Sequence, residues 1–199
     1  MIYSMLAVPA AVLVVLSATF LLVSNNWRIT IGALGVLYLG VFVLVANTWP
    51  ADLAVVKLVT GWMAGSVLGM TSLNVEIQDS VVRRVWPTQS VFYIMAAALI
   101  LAAVSTFIQP VLEWIPSMIA AQAWGGLALI GLGLLHLGFS ARAMRVIISL
   151  LTMLAGFEVL YAVVEASTLV AGLLAMVTLG IALAGAYLML TPKMEEPQT

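Results

Sequence analysis

Residues 168–190 read TLVAGLLAMVTLGIALAGAYLML and contain no charged side chain. A helix that rises 1.5 Å per residue needs about 20 apolar residues to cross the hydrocarbon core of a bilayer, so this run is long enough. Its apolar residues follow one another without the strict alternation that is typical of a transmembrane β-strand. The run therefore predicts a membrane-spanning α-helix.

Apolar runs of the same kind fill most of the chain before residue 168. They cover approximately 2–23, 29–46, 53–73, 91–108, 119–140 and 146–164. The breaks between them carry asparagine, proline and charged residues, which favour turns or end a helix. The sequence therefore predicts an all-α integral membrane protein, a seven-helix bundle.

Two of the breaks are longer than the others. The polar segment 74–90 contains four charged residues among valines, and we expect a short helix there that lies at the membrane interface. The stretch from Gln109 and Pro110 to Pro116 is expected to link the fourth span to the fifth, because proline ends a helix.

The composition excludes several classes of protein. Of the 199 residues, 64% are hydrophobic and 8% are charged, whereas an ordinary soluble domain has about 25% charged residues. A soluble domain and a nucleic-acid-binding protein are therefore excluded, and the lipid bilayer is the expected surrounding. The chain has no cysteine and one histidine, which excludes thiolate metal sites, iron–sulfur clusters and bis-histidine haem. We expect no cofactor, and no active site of an enzyme, in this chain.

The basic residues indicate an orientation in the membrane. All except Lys57, which lies inside the third span, follow odd-numbered spans; they are Arg28, Arg83, Arg84, Arg142, Arg145 and Lys193. Loops rich in lysine and arginine stay in the cytoplasm. The N-terminus is therefore predicted outside and the C-terminus in the cytoplasm, which requires an odd number of spans.

Arg28 and Arg145 occupy matching places, because each follows one span and opens the next. This spacing favours two parallel three-helix repeats joined by a linker helix, although apolar helices resemble one another even without duplication. The predicted parts are a first three-helix unit (1–73), an interfacial segment with the linker helix (74–118), a second three-helix unit (119–190) and a cytoplasmic tail (191–199).

Four titratable residues lie inside the spans or at their rims. Ionisable groups are costly in a bilayer, so each is a functional candidate. By helical rise, Lys57 and Glu158 lie about 7 Å and about 10 Å below the same rim, and Tyr161 is one turn from Glu158. A buried Lys57–Glu158 pair, with Tyr161 as a candidate hydrogen-bond partner of Glu158, is therefore one hypothesis. His136, near the other rim, is the third candidate for a proton path, and Glu165 is expected at the interface.

Each of these residues also has a simpler interpretation. Lys57 can extend to the lipid headgroups along its apolar stem. His136 can be a packing histidine, and Glu158 can serve structure alone. The sequence does not decide between these interpretations.

The run LGLLHLGFSARAMRVII, residues 132–148, resembles the first cytoplasmic turn of the small K-type subunit of complex I. A glutamate-bearing helix with Gly156, Phe157 and Glu158 follows, and then the small-residue helix 169–190. The same unit preceded by further spans is similar to hydrogenase-4 component E. That family has a lysine in an early helix, and Lys57 lies in the third span here. The K-type resemblance covers about 130–190.

The resemblance implies a non-catalytic membrane subunit of a proton-translocating complex similar to complex I, a membrane-bound hydrogenase or an Mrp-type antiporter. Its partners would be other membrane subunits, and its location the bacterial inner membrane. Two differences from the K-type pattern bear on the proton path. Leu151 stands nearest the place of the second-helix glutamate, and 168–190 contains no carboxylate.

Two other functions remain open at this stage. A 3+1+3 arrangement of helices resembles the SWEET sugar transporters, but the proline–glutamine dipeptide that they carry within their helices occurs here only in the tail. A purely structural scaffold subunit is the other alternative.

Overall fold

The fold was analysed in a computed structural model that describes residues 2–24, 26–76, 87–140 and 142–191. Every regular element in these ranges is an α-helix, and all seven helices are long and apolar enough to cross a membrane. They are α1 (Ile2–Val23), α2 (Trp27–Val45), α3 (Ala51–Glu76), α4 (Pro87–Trp114), α5 (Ala120–Gly138), α6 (Ala143–Tyr161) and α7 (Thr168–Leu190). The predicted all-α, seven-helix bundle is confirmed.

The largest boundary difference is in the fourth span, because α4 continues through Pro110 to Trp114. Proline removes the backbone donor that would bond the carbonyl of Thr106, but membrane helices tolerate proline within a span. The prediction that a link begins at Gln109 is therefore wrong.

The predicted interfacial helix over 74–90 falls mostly outside the described residues, which stop at Glu76 and resume at Pro87. Its two flanks belong to the membrane-spanning helices α3 and α4. The predicted cytoplasmic tail (191–199) also lies outside the described residues beyond position 191.

The helices form two rows of three. Neighbours along the chain pack together within each row: α1 packs against α2 and α2 against α3, and likewise α5 against α6 and α6 against α7. Across the rows, α1 contacts α5, α2 contacts α6, and α3 contacts α7. α4 packs mainly against α5, outside the two rows, and buries the smallest share of any span.

Glycines bring the backbones of α5 and α6 close together. A Cβ atom built on Gly156 would lie 2.6 Å from the carbonyl oxygen of Gly126, and one on Gly133 would lie 2.8 Å from the amide nitrogen of Met153. Small residues allow such contact between membrane helices, where van der Waals packing replaces the hydrophobic effect as the attraction. These two helices form the most closely packed pair in the bundle.

The bundle has two distinguishable ends, because successive helices run in opposite directions. We call the end with the starts of α2 and α6, where Arg28 and Arg145 lie, the arginine end. The other end carries the turns 46–50, 115–119 and 162–167, and we call it the turn end.

The predicted orientation has a direct test, because the chain contains no cysteine of its own. Single cysteines at Ser80 and Ser117 follow an odd-numbered and an even-numbered span, and the arginine asymmetry places them on opposite sides of the membrane. In intact cells, an impermeant thiol reagent should label position 117 and leave position 80 unlabelled until the cells are opened. Labelling of position 80 but not of position 117 would show that the chain has the opposite orientation.

Candidate functional site

Lys57 of α3 and Glu158 of α6 form an ion pair inside the bundle. The distance between Lys57 Nζ and Glu158 Oε1 is 2.7 Å, and each side chain is only 1% exposed. The two residues are 101 positions apart in the chain, and they meet because α3 and α6 both pack against α7. The structure thus brings together two of the three predicted site residues, and Lys57 does not extend to the headgroups.

A third helix contributes to the pair. Thr178 of α7 is 1% exposed, and its hydroxyl lies 3.4 Å from Glu158 Oε1. The same hydroxyl donates at 2.9 Å to the carbonyl of Leu174. The expectation that Tyr161 hydrogen-bonds Glu158 is not met, because the Tyr161 ring stacks on Phe157 with ring centroids 5.5 Å apart.

Tyr38 of α2 is 1% exposed and lies within electrostatic range of Glu158. Its ring fits against α3 because Gly61, one turn beyond Lys57, has no side chain there; a Cβ atom on Gly61 would collide with the ring. Four helices therefore surround the pair: α2, α3, α6 and α7.

Two oxygen atoms at the site lack a hydrogen-bond partner among the described residues. They are Glu158 Oε2 and the Tyr38 hydroxyl oxygen, and both are buried. Polar atoms in a protein interior are normally paired, so unpaired ones merit a functional explanation. Because Lys57 and Thr178 contact Oε1, the other carboxylate oxygen stays available to a proton.

Trp49 covers the pair on the turn end. It lies in the turn between α2 and α3, is 3% exposed, and donates from Nε1 to the carbonyl of Glu165 at 3.0 Å. The Lys57 ammonium lies 6.0 Å from the centroid of the Trp49 ring, at the outer limit of a cation–π contact. One indole therefore joins two turns and lies over the buried lysine. The Glu165 side chain is exposed, consistent with the expected interfacial position.

Burying a charged pair in this position costs free energy. Moving an ion from water into a medium of low dielectric constant costs several kcal/mol after relaxation, and a close partner of opposite charge offsets that cost only with good geometry. The 2.7 Å contact satisfies this condition for Lys57, whereas Glu158 keeps one unpaired oxygen. The pair therefore holds a carboxylate that is stabilised by one cation and sensitive to its movement.

His136, the third predicted site residue, lies elsewhere. It sits near the end of α5, is 3% exposed, and is within electrostatic range of Arg145 at the start of α6. Its Nε2 has no hydrogen-bond partner among the described residues. Arg145 also donates from Nη2 to the carbonyl of Ser24 at 3.1 Å. His136 therefore belongs to the arginine end.

Apolar packing separates His136 from the ion pair. Gly133 of α5 packs against Met153 of α6, which puts His136 level with about residue 150 and, by helical rise, about 12 Å from the level of Glu158. The interior between these two levels is filled by side chains that are at most 1% exposed: Leu129, Leu132 and Leu151. The three residues predicted for a proton path are thus a pair and a separate single group, and no hydrogen bond connects them among the described residues.

Sequence reasoning did not select Thr178, Tyr38 or Trp49 as site residues. A signal was present for the first two, because each is a polar residue inside an otherwise apolar span. Among the described residues, no three histidine, cysteine, aspartate or glutamate side chains are grouped so that they could hold a metal ion.

Comparison of the chain with protein-family models, with curated proteins and with solved structures finds no match.

Proposed function

We propose that this chain is a non-catalytic membrane subunit of a proton-translocating complex, similar to complex I, a membrane-bound hydrogenase or an Mrp-type antiporter. The Lys57–Glu158 pair takes up and releases a proton in it. The observation that carries the proposal is the 2.7 Å contact between two charged side chains that are 1% exposed inside a membrane bundle. Buried ionisable residues in membrane spans are rare and mark ion or proton pathways.

The geometry of the pair suits one proton transfer. When Lys57 and Glu158 are both charged, the ammonium neutralises the carboxylate through Oε1. A proton that arrives at Oε2 makes Glu158 neutral, and Lys57 then loses its counter-charge. The ammonium is destabilised by that loss and releases a proton in turn. One proton enters and one leaves, and transfer of the carboxyl proton from Glu158 to the neutral Lys57 amine then restores the starting charge pair.

The rest of the chain is consistent with a subunit role. It has no cysteine and one histidine, so redox chemistry would belong to partner subunits. We propose the bacterial inner membrane as its location, with the N-terminus outside, because the arginines cluster at one end. The exposed apolar faces of α4 and α7 are the surfaces available to neighbouring subunits or lipid.

A small 3+1+3 transporter is the second candidate, and the position of α4 outside the two rows favours it. Against it stands the apolar interior between the rows, where Val14, Leu44 and Leu129 are fully buried. Uptake of labelled sugars by vesicles containing the purified chain would distinguish this function from the first.

The test is proton pumping by the parent complex, purified through a tag on this chain and reconstituted with a pH-sensitive dye inside the vesicles. Glu158→Gln keeps the size of the side chain but removes its acid–base chemistry. We expect the less stable variant still to assemble within the complex, and the pumping rate per assembled complex to fall about tenfold or more. Glu165→Gln is the matched control, because it makes the same change on an exposed side chain, and it should pump normally. Normal pumping by correctly assembled Glu158→Gln would overturn the proposal.

A further inference from the structure

Along α3 and α6, the Lys57–Glu158 pair lies much closer to the turn end than to the arginine end, whereas Thr178 is ten residues, about 15 Å, from the start of α7. Glu158 is three residues from Tyr161, where α6 ends, which is about 5 Å along the axis. Lys57 is six residues from Ala51, where α3 begins, which is about 9 Å. Toward the arginine end, about 20 Å of packed leucine and isoleucine side chains lies on the same path. Water can therefore reach the pair over the shorter distance, from the turn end.

Trp49 occupies that short path. Its ring lies 6.0 Å from Lys57 Nζ, and the residue is 3% exposed although it belongs to a turn. Its indole N–H donates at 3.0 Å to the backbone carbonyl of Glu165, in the turn between α6 and α7. A single hydrogen bond thus holds together the two turns that flank the pair.

The turn that carries Trp49 is held on its other side as well. Gln122 of α5 is fully buried and donates from Nε2 to the carbonyl of Leu44 at 2.8 Å, with Thr48 Oγ1 at 3.4 Å. This contact anchors the end of α2 to the second row. Of the two attachments, the bond to Glu165 is the one that can open without disturbing a helix, because both of its partners lie in turns.

We infer that Trp49 gates access of water and protons to the Lys57–Glu158 pair from the turn end, opening when its indole leaves the Glu165 carbonyl. The inference deepens the proposed function and rests on it, since it names the side from which the pair exchanges protons. The closed state has the indole over the lysine and bonded to Glu165. Opening breaks that one hydrogen bond and exposes the pair through the gap between the two turns.

The experiment measures access directly, with a cysteine at Thr178 as the reporter. The chain has no other cysteine, and Thr178→Cys replaces a hydroxyl beside Glu158 Oε1 with a thiol of similar size, while both charged residues remain. The full-length chain is reconstituted in lipid vesicles and treated with a small, impermeant trimethylammonium methanethiosulfonate. A separate Ser117→Cys sample gives the fraction of molecules whose turn end faces the reagent.

Thr178→Cys alone should react slowly, and only in molecules whose turn end faces the reagent. The rate of reaction follows the population of the open state, so removing one hydrogen bond with Trp49→Phe should raise it about five- to tenfold. Trp49→Ala also removes the ring and should raise it further. Trp62→Phe is the matched control, because the Trp62 indole also donates to a backbone carbonyl, that of Gly35 at 3.2 Å, but on an exposed face.

An unchanged rate in Trp49→Phe, or an equal gain for reagent at the arginine end, would overturn the inference. If Trp49→Ala fails to assemble, Trp49→Phe alone decides, since it keeps an aromatic ring in place. Labelling requires no proton movement, so the two proposals fail separately. If Trp49→Phe speeds labelling but Glu158→Gln pumps normally, the gate is supported and the proposed function is rejected. If Trp49→Phe leaves labelling unchanged but Glu158→Gln stops pumping, the proposed function is supported and the gate is rejected.

Discussion

Glu158→Gln should destabilise the bundle by about 3–5 kcal/mol, because it leaves the Lys57 ammonium buried without its counter-charge. Lys57 is 1% exposed, and its described ion-pair partner is Glu158 at 2.7 Å. The Trp49 ring, at 6.0 Å, replaces little of that interaction. Reversible unfolding in detergent micelles, followed by circular dichroism, measures the loss. The converse change, Lys57→Met, should cost a similar amount, since it leaves the carboxylate unpaired.

The double variant distinguishes a pair from two independent residues. Removing both charges leaves no unpaired ion, and replacing a buried pair with apolar side chains is often neutral or stabilising. Lys57→Met with Glu158→Gln should therefore lose less stability than Glu158→Gln alone, which requires a coupling energy larger than the cost of Lys57→Met by itself, about 3–5 kcal/mol.

Glu165→Gln is the control for the charge change and should alter the free energy of unfolding by less than about 0.5 kcal/mol, as for other exposed positions. Additive losses in the double variant would show that the 2.7 Å contact contributes nothing to stability. Lys57 and Glu158 would then contribute to stability as two independent residues.

Gly156→Ala should separate α5 from α6 and cost at least about 3 kcal/mol, at the upper end of the range for overpacking. Its new methyl group would lie 2.6 Å from the carbonyl oxygen of Gly126 and 2.8 Å from the amide nitrogen of Ile130. Both contacts are backbone atoms, which cannot rotate away as a side chain can. The helices themselves must move, and the Glu158 side chain moves with α6.

Gly180→Ala is the matched control within the same bundle. A Cβ atom on Gly180 meets nothing within 4 Å, and alanine favours a helix over glycine by up to about 1 kcal/mol. This variant should be neutral or slightly more stable in the same unfolding measurement. Equal effects at the two positions would mean that the close approach of α5 and α6 does not contribute to stability.

The spans are the part of the fold that could be predicted closely. The limits of the first and seventh spans, 2–23 and 168–190, coincide with α1 and α7. Span length follows from the thickness of the bilayer, and the spans are separated by polar residues that cannot enter it. The failure at Pro110 has the same origin, because a local rule about proline was applied where the membrane environment favours a continuous helix.

The depth of a residue in the membrane could also be predicted, but its direction around the helix could not. Counting residues from the rims placed Lys57 and Glu158 at similar depth, and the structure pairs them. Tyr161 was expected beside Glu158, but the second contact comes from Thr178 of another helix. Spans that are apolar on every side carry no stripe that marks the inward face.

The sequence by itself determined the membrane class, the seven helices, the clustering of the arginines and the depth of each ionisable residue. These properties depend on hydrophobicity and on the fixed rise of the helix, which neighbouring helices do not alter. Only the tertiary structure decided that Lys57 meets Glu158, that Thr178 and Tyr38 surround them, and that Trp49 covers them. Those contacts depend on how each helix is rotated about its axis, and small residues at the interfaces, such as Gly61 against the Tyr38 ring, decide that rotation through van der Waals packing.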